Sequence, residues 1–274
     1  MSGMSSINNQ PSFEGMPERL FSCTPHRLET WLDCPKKYRY TYIDTPRPPR
    51  GGPWAHSTMG SAIHNALREW FTQDVTARTT EMGAKLVDKN WRNDGFRDEE
   101  QSERYKFRAQ NWVRQYLETV DPHNEPRGIE RTVSTKTEKL SLSGRVDRID
   151  ERDGELVIVD YKTGKRPPDE AEAGGSLALA IYALGAERTL RMKCRTVELH
   201  HLPSDTKVIF RHDEASLARH IKRAESIAAE AVDATSQNHF QPTPGALCGY
   251  CDYARICTDT DRAPAQPWAG LDEN

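Results

Sequence analysis

The chain has 274 residues, of which 36% are hydrophobic and 29% are charged, and this length is enough to bury the core of one large domain. No apolar run approaches the roughly 20 residues of a membrane-spanning helix, and the start lacks the pattern of a secretory signal, so we expect a cytoplasmic protein with no membrane partner. The net charge of −3 does not indicate a polyanion-binding protein, so any contact with nucleic acid must depend on local basic patches.

The first predicted elements lead to Cys34. Residues 1–18 are polar and aperiodic, which predicts a disordered leader. Thr24 before Pro25 is typical of a helix start, because threonine is a good N-cap and proline suits the first helical position. This helix should end at Cys34.

The next stretch, residues 36–43, interleaves basic and aromatic side chains. Such a pattern can stack on bases and hold phosphates, which makes Lys37 and Arg39 candidate nucleic-acid contacts. A packed helix whose cations extend along its surface explains the pattern equally well. The sequence leaves both interpretations open.

A helix is predicted over residues 57–71, where apolar residues recur at the helical period. His64 lies beside that apolar stripe, four residues after Gly60. A histidine in this position is more often a core or surface residue than a metal ligand. Two further helices form a predicted helical insertion at about residues 79–121.

The central prediction is a hairpin of two strands, residues 140–150 and 155–159, joined by a compact turn. Because side chains alternate along a strand, Asp160 and Lys162 should emerge together at the end of the second strand. Asp147 should lie on the neighbouring strand.

This arrangement favours a metal site over a structural salt bridge followed by a turn. Two converging carboxylates repel each other unless a cation lies between them, and magnesium and manganese prefer oxygen ligands. A lysine beside them can orient a water and offset negative charge on a phosphate.

Later segments carry less chemistry. The predicted elements are an acidic loop (167–175), a helix (176–190), a hairpin (196–202 with 207–212), a long helix (213–236) and a disordered tail (263–274).

The chain has six cysteines, and disulfides are rare in cytoplasmic proteins, so clustered cysteines indicate a metal site. Three of them lie in one short segment: Cys248, Cys251 and Cys257. They need a fourth ligand, and Cys34 is the best candidate because it closes an early helix before a basic segment. Cys23 and Cys194 lie in apolar or strand contexts. Zinc sites usually use two closely spaced ligand pairs.

Two stretches carry a family resemblance, Gly-Arg-Val-Asp-Arg-Ile-Asp at 144–150 and Val-Asp-Tyr-Lys-Thr-Gly at 159–164. Together they resemble the core of the PD-(D/E)XK nucleases, specifically the RecB-like exonuclease family. The resemblance implies that Asp147 and Asp160 ligate a metal ion, magnesium or manganese, and that Lys162 assists the attacking water.

The resemblance extends to two further elements. Gly60-x-x-x-His64 is similar to a family element whose histidine is an additional metal ligand, and the backbone carbonyl of Tyr161 is expected to add another. Tyr182 matches the tyrosine of a Gln-x-x-x-Tyr element that faces nucleic acid near the metal. Ala178 stands where that glutamine would be, so its contact is absent, and Tyr182 alone can equally be a core residue.

The cysteine pattern is similar to the iron-sulfur staple of RecB-like nucleases such as AddB and the CRISPR adaptation nucleases. It implies a 4Fe-4S cluster on Cys34, Cys248, Cys251 and Cys257, with zinc as the alternative. The cluster-binding segments, at about 31–36 and 246–258, would clasp the two chain ends around the nuclease core.

The resemblance implies an α/β fold, with a mixed central sheet flanked by helices, the helical insertion and the iron-sulfur staple, in a single nuclease domain over 19–262. The expected function is metal-dependent DNA hydrolysis, as an exonuclease in repair or recombination. The alternative is a nuclease-like subunit that grips single-stranded DNA or ends for a partner helicase. The chain itself has no Gly-x-x-x-x-Gly-Lys-Ser/Thr loop of a motor, and its intact His, Asp, Asp and Lys set favours the enzyme.

Overall fold

The computed structural model describes residues 20–271, so the leader predicted over 1–18 lies outside the described residues. The helices are α1 (Pro25–Asp33), α2 (Pro35–Tyr42), α3 (Ala55–Phe71), α4 (Thr80–Asn90), α5 (Glu99–Glu118), α6 (Glu170–Gly175), α7 (Leu177–Leu190) and α8 (Glu214–Ser236). The strands are β1 (Phe21–Cys23), β2 (Gly128–Lys136), β3 (Leu140–Arg152), β4 (Glu155–Lys162), β5 (Cys194–His201) and β6 (Thr206–Arg211).

The strands form one six-stranded sheet in the order β1-β3-β4-β5-β6, and β2 also pairs with β3. β1 is parallel to β3 and β4 is parallel to β5, whereas the other pairs are antiparallel. The mixed sheet with flanking helices confirms the predicted α/β fold.

The helix boundaries follow local capping chemistry. Thr24 accepts a hydrogen bond from the backbone of Arg27, and Pro25 takes the first helical position of α1, as predicted. Side chains of the same kind cap other helices: Thr79, Asp98, Asp169, Ser176 and Asp213.

Strand β4 is buried on both faces. Val157, Val159 and Tyr161 pack into a cluster with helices α3, α4 and α5, so the helical insertion covers one side of the sheet. Leu156 and Ile158 point the other way, into a cluster with α7. This two-sided burial explains the continuous apolar run of the strand, since helices on both faces of the sheet exclude water.

The predicted hairpin is present as β3 and β4, which pair from Arg148–Val159 to Arg152–Glu155. Asp153 and Gly154 form its turn, and both have positive φ, 51° and 75°. Such angles are typical of a two-residue turn that matches the twist of the strands.

Three segments add to or differ from the sequence prediction. Residues 167–175, predicted as a loop, contain the short helix α6. Residues 36–43 belong largely to helix α2, with Tyr38 buried, which is the packed-helix interpretation of that stretch. Within the segment 263–274, the backbone of Ala265 donates to Gly249 and the carbonyl of Pro267 accepts from Ala55.

Among residues 20–271, no helix combines the length and the apolar character needed to span a bilayer.

Candidate active site and cysteine cavity

The two predicted aspartates lie where β3 and β4 separate. The pairing of the two strands ends at Arg148 and Val159. Asp147 and Asp160 are the next residue of each strand beyond that end. On its other edge β4 continues to pair with β5 as far as Lys162. The side chains of the two aspartates are 16% and 21% exposed.

Tyr161 connects the site residues through its backbone. Its N–H donates to Asp147 Oδ2 at 2.9 Å, and its carbonyl oxygen lies 3.1 Å from His64 Nε2. The other ring nitrogen, Nδ1 of His64, lies 3.3 Å from Asp147 Oδ1. The structure therefore brings a ring nitrogen, a carboxylate and a carbonyl oxygen together.

Helix α3 places His64 against the end of β4. Ile63 and Leu67 of its apolar face are fully buried, which fixes how the helix is rotated about its axis. One turn before His64, a Cβ on Gly60 would lie 3.1 Å from Thr163 Oγ1. Residues four apart share a helix face, so glycine at this position lets the histidine approach the strand end.

Lys162 and Asp160 form an ion pair, with Nζ 2.8 Å from Oδ2. Burial raises the pKa of Asp160; Lys162 opposes the rise and Asp147 adds to it. Burial works against the charge of Lys162, but Asp160 attracts it and the pKa of the lysine is raised. In the same way, burial lowers and Asp147 raises the pKa of His64, with a net increase.

Glu130 belongs to this site, although the sequence motif does not predict it. It lies on β2 between Ile129 and Arg131, whose partners on β3 are Arg148 and Val146, and so it stands opposite Asp147. Ligand atoms of His64, Glu130 and Asp147 all lie within 4.8 Å of one another. Among residues 20–271, this is the only group of three or more His, Cys, Asp or Glu side chains whose potential ligand atoms lie so close to one another. No sequence motif marks Glu130, and its place in the site follows from the register of β2 with β3.

Tyr182 lies over the same part of β3, next to the site. A Cβ on Gly144 would be only 2.3 Å from Tyr182 Cε1, so the ring depends on glycine at that position. Burial, with contributions from Asp160 and Asp147, raises the pKa of Tyr182 to about 12. The side chain is half-buried, which keeps open both a core and a substrate-facing role.

A buried polar network supports the side chain of Tyr161 on the side of the sheet that α3, α4 and α5 cover. Arg148 Nη1 donates to the hydroxyl groups of Tyr161 and Tyr116, each at 3.2 Å. The Tyr116 hydroxyl lies 2.8 Å from His200 Nδ1, and His200 Nε2 lies 2.8 Å from Glu198. Each side chain of the network has a hydrogen-bond partner. The network therefore fixes the position of Tyr161, whose backbone contacts both Asp147 and His64.

The four cysteines predicted to act together line one cavity of about 480 Å³. Two of their sulfur atoms accept backbone hydrogen bonds: Cys34 from Thr243 at 3.4 Å, and Cys248 from Gly245 at 3.2 Å. Cys34 also sits at the junction of α1 and α2.

The two remaining cysteines lie elsewhere. Cys23 and Cys194 are buried in separate apolar clusters. Burial raises the pKa of Cys23 to about 11 and that of Cys194 to about 12, so both behave as apolar thiols.

Lys37 and Arg39, the candidate nucleic-acid contacts, lie on α2. Lys37 lines the cysteine cavity and pairs with Asp33 at 3.0 Å. Arg39 pairs with Asp44 at 2.9 Å. The structure therefore places Lys37 beside the cysteine site and Arg39 on the same helix, outside the lining of that cavity.

Two curated proteins are similar to part of the chain. A CRISPR-associated exonuclease Cas4/endonuclease Cas1 fusion of Leptospira interrogans serogroup Icterohaemorrhagiae serovar Lai (strain 56601) is 24% identical over 144 residues, 51% of this chain and 26% of the relative. A CRISPR-associated exonuclease Cas4 of Francisella tularensis subsp. novicida (strain U112) is 27% identical over 133 residues, 46% of this chain and 61% of the relative. The chain thus spans less than two thirds of the length of either relative.

A solved structure of a candidate exonuclease from Eubacterium rectale is 10% identical and has a TM-score of 0.36, with 72% of this chain and 90% of that chain covered. At this TM-score the likeness supports no conclusion. The family assignment rests on the sequence profile of the PD-(D/E)XK nuclease superfamily, which matches residues 22–258. Because that match includes every residue of the site described above, the chain belongs to the PD-(D/E)XK nuclease superfamily.

Proposed function

We propose that the chain is a divalent-metal-dependent deoxyribonuclease that hydrolyses DNA phosphodiester bonds. One observation carries the proposal: His64, Asp147 and the carbonyl of Tyr161 converge beside the Asp160–Lys162 pair. A donor set of one imidazole nitrogen and several oxygens suits magnesium or manganese.

In this proposal His64, Asp147, Asp160 and the carbonyl oxygen of Tyr161 hold the cation. When bound, the cation polarises a phosphate oxygen and lowers the pKa of water. The backbone N–H of Tyr161 keeps the carboxylate of Asp147 in a fixed orientation through its 2.9 Å hydrogen bond.

Lys162 acts as a hydrogen-bond donor in this proposal. Its raised pKa keeps the side chain protonated at neutral pH, so it cannot remove a proton from water in the metal-free enzyme. An ammonium group at the open end of β4 can orient a water and stabilise the charge that develops on the phosphate. Its side chain is 41% exposed, which makes it accessible to a substrate.

Tyr182 contributes a substrate contact in this proposal. With a pKa of about 12, its phenol keeps its proton at neutral pH and can donate to a phosphate oxygen. Its position over Gly144 puts the hydroxyl group near the two carboxylates, consistent with a contact close to the cleaved bond.

We further propose that the cysteine cavity holds a 4Fe-4S cluster on Cys34, Cys248, Cys251 and Cys257. Cysteines that ligate one zinc ion close directly around it, whereas a cavity of about 480 Å³ has room for a group of several atoms. Backbone hydrogen bonds to two of the sulfurs are the kind that tune such clusters. The cluster would join the N-terminal helices to the C-terminal segment.

The proposed substrate is single-stranded DNA or DNA ends, and the proposed mode is exonucleolytic, in repair or recombination. The names of both curated relatives include an exonuclease, which supports that mode. A separate helicase is the proposed partner for any unwinding. Lys37 and Arg39 would then contact DNA beside the cysteine site.

The test is cleavage of end-labelled single-stranded and double-stranded DNA by the full chain with magnesium, manganese or chelator. With magnesium or manganese we expect cleavage from an end of the DNA, which releases mononucleotides or short products. With chelator we expect no cleavage. A protein that binds the labelled ends but leaves them intact with every metal would instead be the nuclease-like binding subunit.

A further inference from the structure

We propose that Glu130 is a further ligand of the divalent-metal site. It would form, with His64 and Asp147, a three-residue pocket for Mn²⁺ or Mg²⁺. This inference rests on the proposed function, and it deepens it by adding a donor that the nuclease motif does not contain.

The geometry is the first argument. The three residues come from three elements, α3, β2 and β3, yet their ligand atoms lie within 4.8 Å of one another. Asp147 Oδ2 is engaged by the backbone of Tyr161, whereas Oδ1 faces the ring of His64. Asp147 therefore offers a carboxylate oxygen to the same small region as a ring nitrogen of His64 and the carboxylate of Glu130.

Electrostatics is the second argument. Glu130 and Asp147 each have only 16% of their side-chain surface exposed, and two carboxylates this close repel each other unless a cation lies between them. A divalent cation would relieve the repulsion and compensate for burial in one step.

Arg145 is the existing ion-pair partner of Glu130, with Nε 2.7 Å from Oε2. Its side chain is 69% exposed, so the guanidinium covers the carboxylate from the solvent side. A cation in the pocket would approach from the opposite side, next to His64. The two interactions are therefore compatible.

The test is titration of the full-length, chelator-treated chain with MnCl₂ by isothermal titration calorimetry. We expect Glu130→Gln to weaken Mn²⁺ binding at least tenfold. The matched control is Glu138→Gln, an exposed carboxylate at the connection between β2 and β3, which should stay within twofold of wild type. Arg145→Gln should also keep the affinity, because the arginine lies on the solvent side.

Each outcome decides between explanations. Loss of Mn²⁺ binding in Asp147→Asn, with wild-type affinity in Glu130→Gln, would overturn the role of Glu130 and leave the nuclease proposal intact. If Arg145→Gln weakens binding as much as Glu130→Gln, Glu130 is only the partner of that arginine and the inference is wrong. Wild-type affinity in Asp147→Asn and in His64→Gln would remove the metal site, and with it both proposals.

A second variant keeps the inference testable if Glu130→Gln does not fold. Glu130→Asp retains the carboxylate on a shorter side chain, and we expect weaker Mn²⁺ binding with little change in the melting temperature of the metal-free protein. A variant with lower metal-free stability and unchanged Mn²⁺ affinity would show a purely structural role.

Discussion

Replacing Asp160 by asparagine should stabilise the metal-free protein and remove most of the stabilisation that metal binding gives. Folding raises the pKa of this carboxyl because the site is buried and Asp147 is near, although Lys162 opposes the shift. The sign follows: above the unfolded pKa of 3.8, the ionised side chain costs folding free energy, about 1.4 kcal/mol for each unit of the rise. An uncharged amide of the same shape removes that cost, so the metal-free melting temperature should increase.

With manganese bound, the wild-type protein should become more stable than the Asp160→Asn variant. A ligand present at 100 times its Kd stabilises a protein by about 2.7 kcal/mol, which for a domain of this size raises the melting temperature by roughly 5–10 °C. The Asp160→Asn variant should lose most of that gain, since one of the two motif carboxylates is missing. Cleavage should fall at least about a hundredfold, which corresponds to about 2.7 kcal/mol of transition-state stabilisation.

The assay is thermal unfolding of both proteins with chelator and with MnCl₂, next to cleavage of an end-labelled strand. A wild-type thermal gain with manganese, together with wild-type cleavage, would show that Asp160 is not part of the metal site. A lower metal-free melting temperature in the variant would show that the ion pair with Lys162 outweighs burial.

Three further predictions address other parts of the molecule. Lys162→Met should reduce cleavage at least about tenfold with Mn²⁺ affinity by calorimetry near wild type, and lost affinity would mean that the lysine holds the site together. Anaerobically purified wild type should be brown, and Cys34→Ser should remove that colour and lower the stability of the protein, whereas Cys23→Ser should keep the colour. A colourless wild type with one zinc ion would overturn the cluster. Burial and the neighbouring His220 lower the pKa of His212 from 6.5 to about 4, so the folded state binds fewer protons than the unfolded state between these values. Stability should therefore fall by about 3 kcal/mol as the pH drops from 6.5 to 4, and His212→Asn should remove that part of the pH dependence in urea titrations; an unchanged profile would contradict the assignment.

The sequence predicted those parts of the fold and site that depend on local pattern. The β3-β4 hairpin follows from strand periodicity and a two-residue turn, so the neighbouring positions of Asp147 and Asp160 could be foreseen. The assignment to the PD-(D/E)XK nuclease superfamily, made from the residues around these aspartates, is confirmed by the profile match. The separation of the strands beyond Arg148 and Val159 is a tertiary feature and needed the structure.

Other features depend on contacts between distant segments. Glu130 becomes a site residue only through the register of β2 with β3, and no motif marks it. Strand β1 has three residues and pairs in parallel with Leu140–Leu142 of β3, which is too short for periodicity to reveal. Helix α6 was hidden by the two prolines before it and the two glycines at its end. It has a local cap at Asp169, but it depends on burial of Ala173 against the sheet.

The contacts of Asp252, which follows Cys251, affect the order in which the protein can assemble. Its carboxylate accepts from Arg50 Nε at 3.1 Å and from Trp54 Nε1 at 3.3 Å, and its carbonyl accepts from the backbone of Gly51. Trp54 is the N-cap residue of α3, the helix that carries His64.

This anchor is 198 residues away from Trp54 in the chain, and a ribosome adds about 5–20 residues per second. The start of α3 is therefore free of its partner for roughly ten seconds or more after Trp54 has been made. By then Asp147 and Asp160 are already synthesised. During synthesis, the helix that carries His64 gains these contacts only when the segment with the clustered cysteines appears, and its contact from Ala55 to Pro267 forms later still. The candidate metal site can therefore be completed only late in the synthesis of this domain.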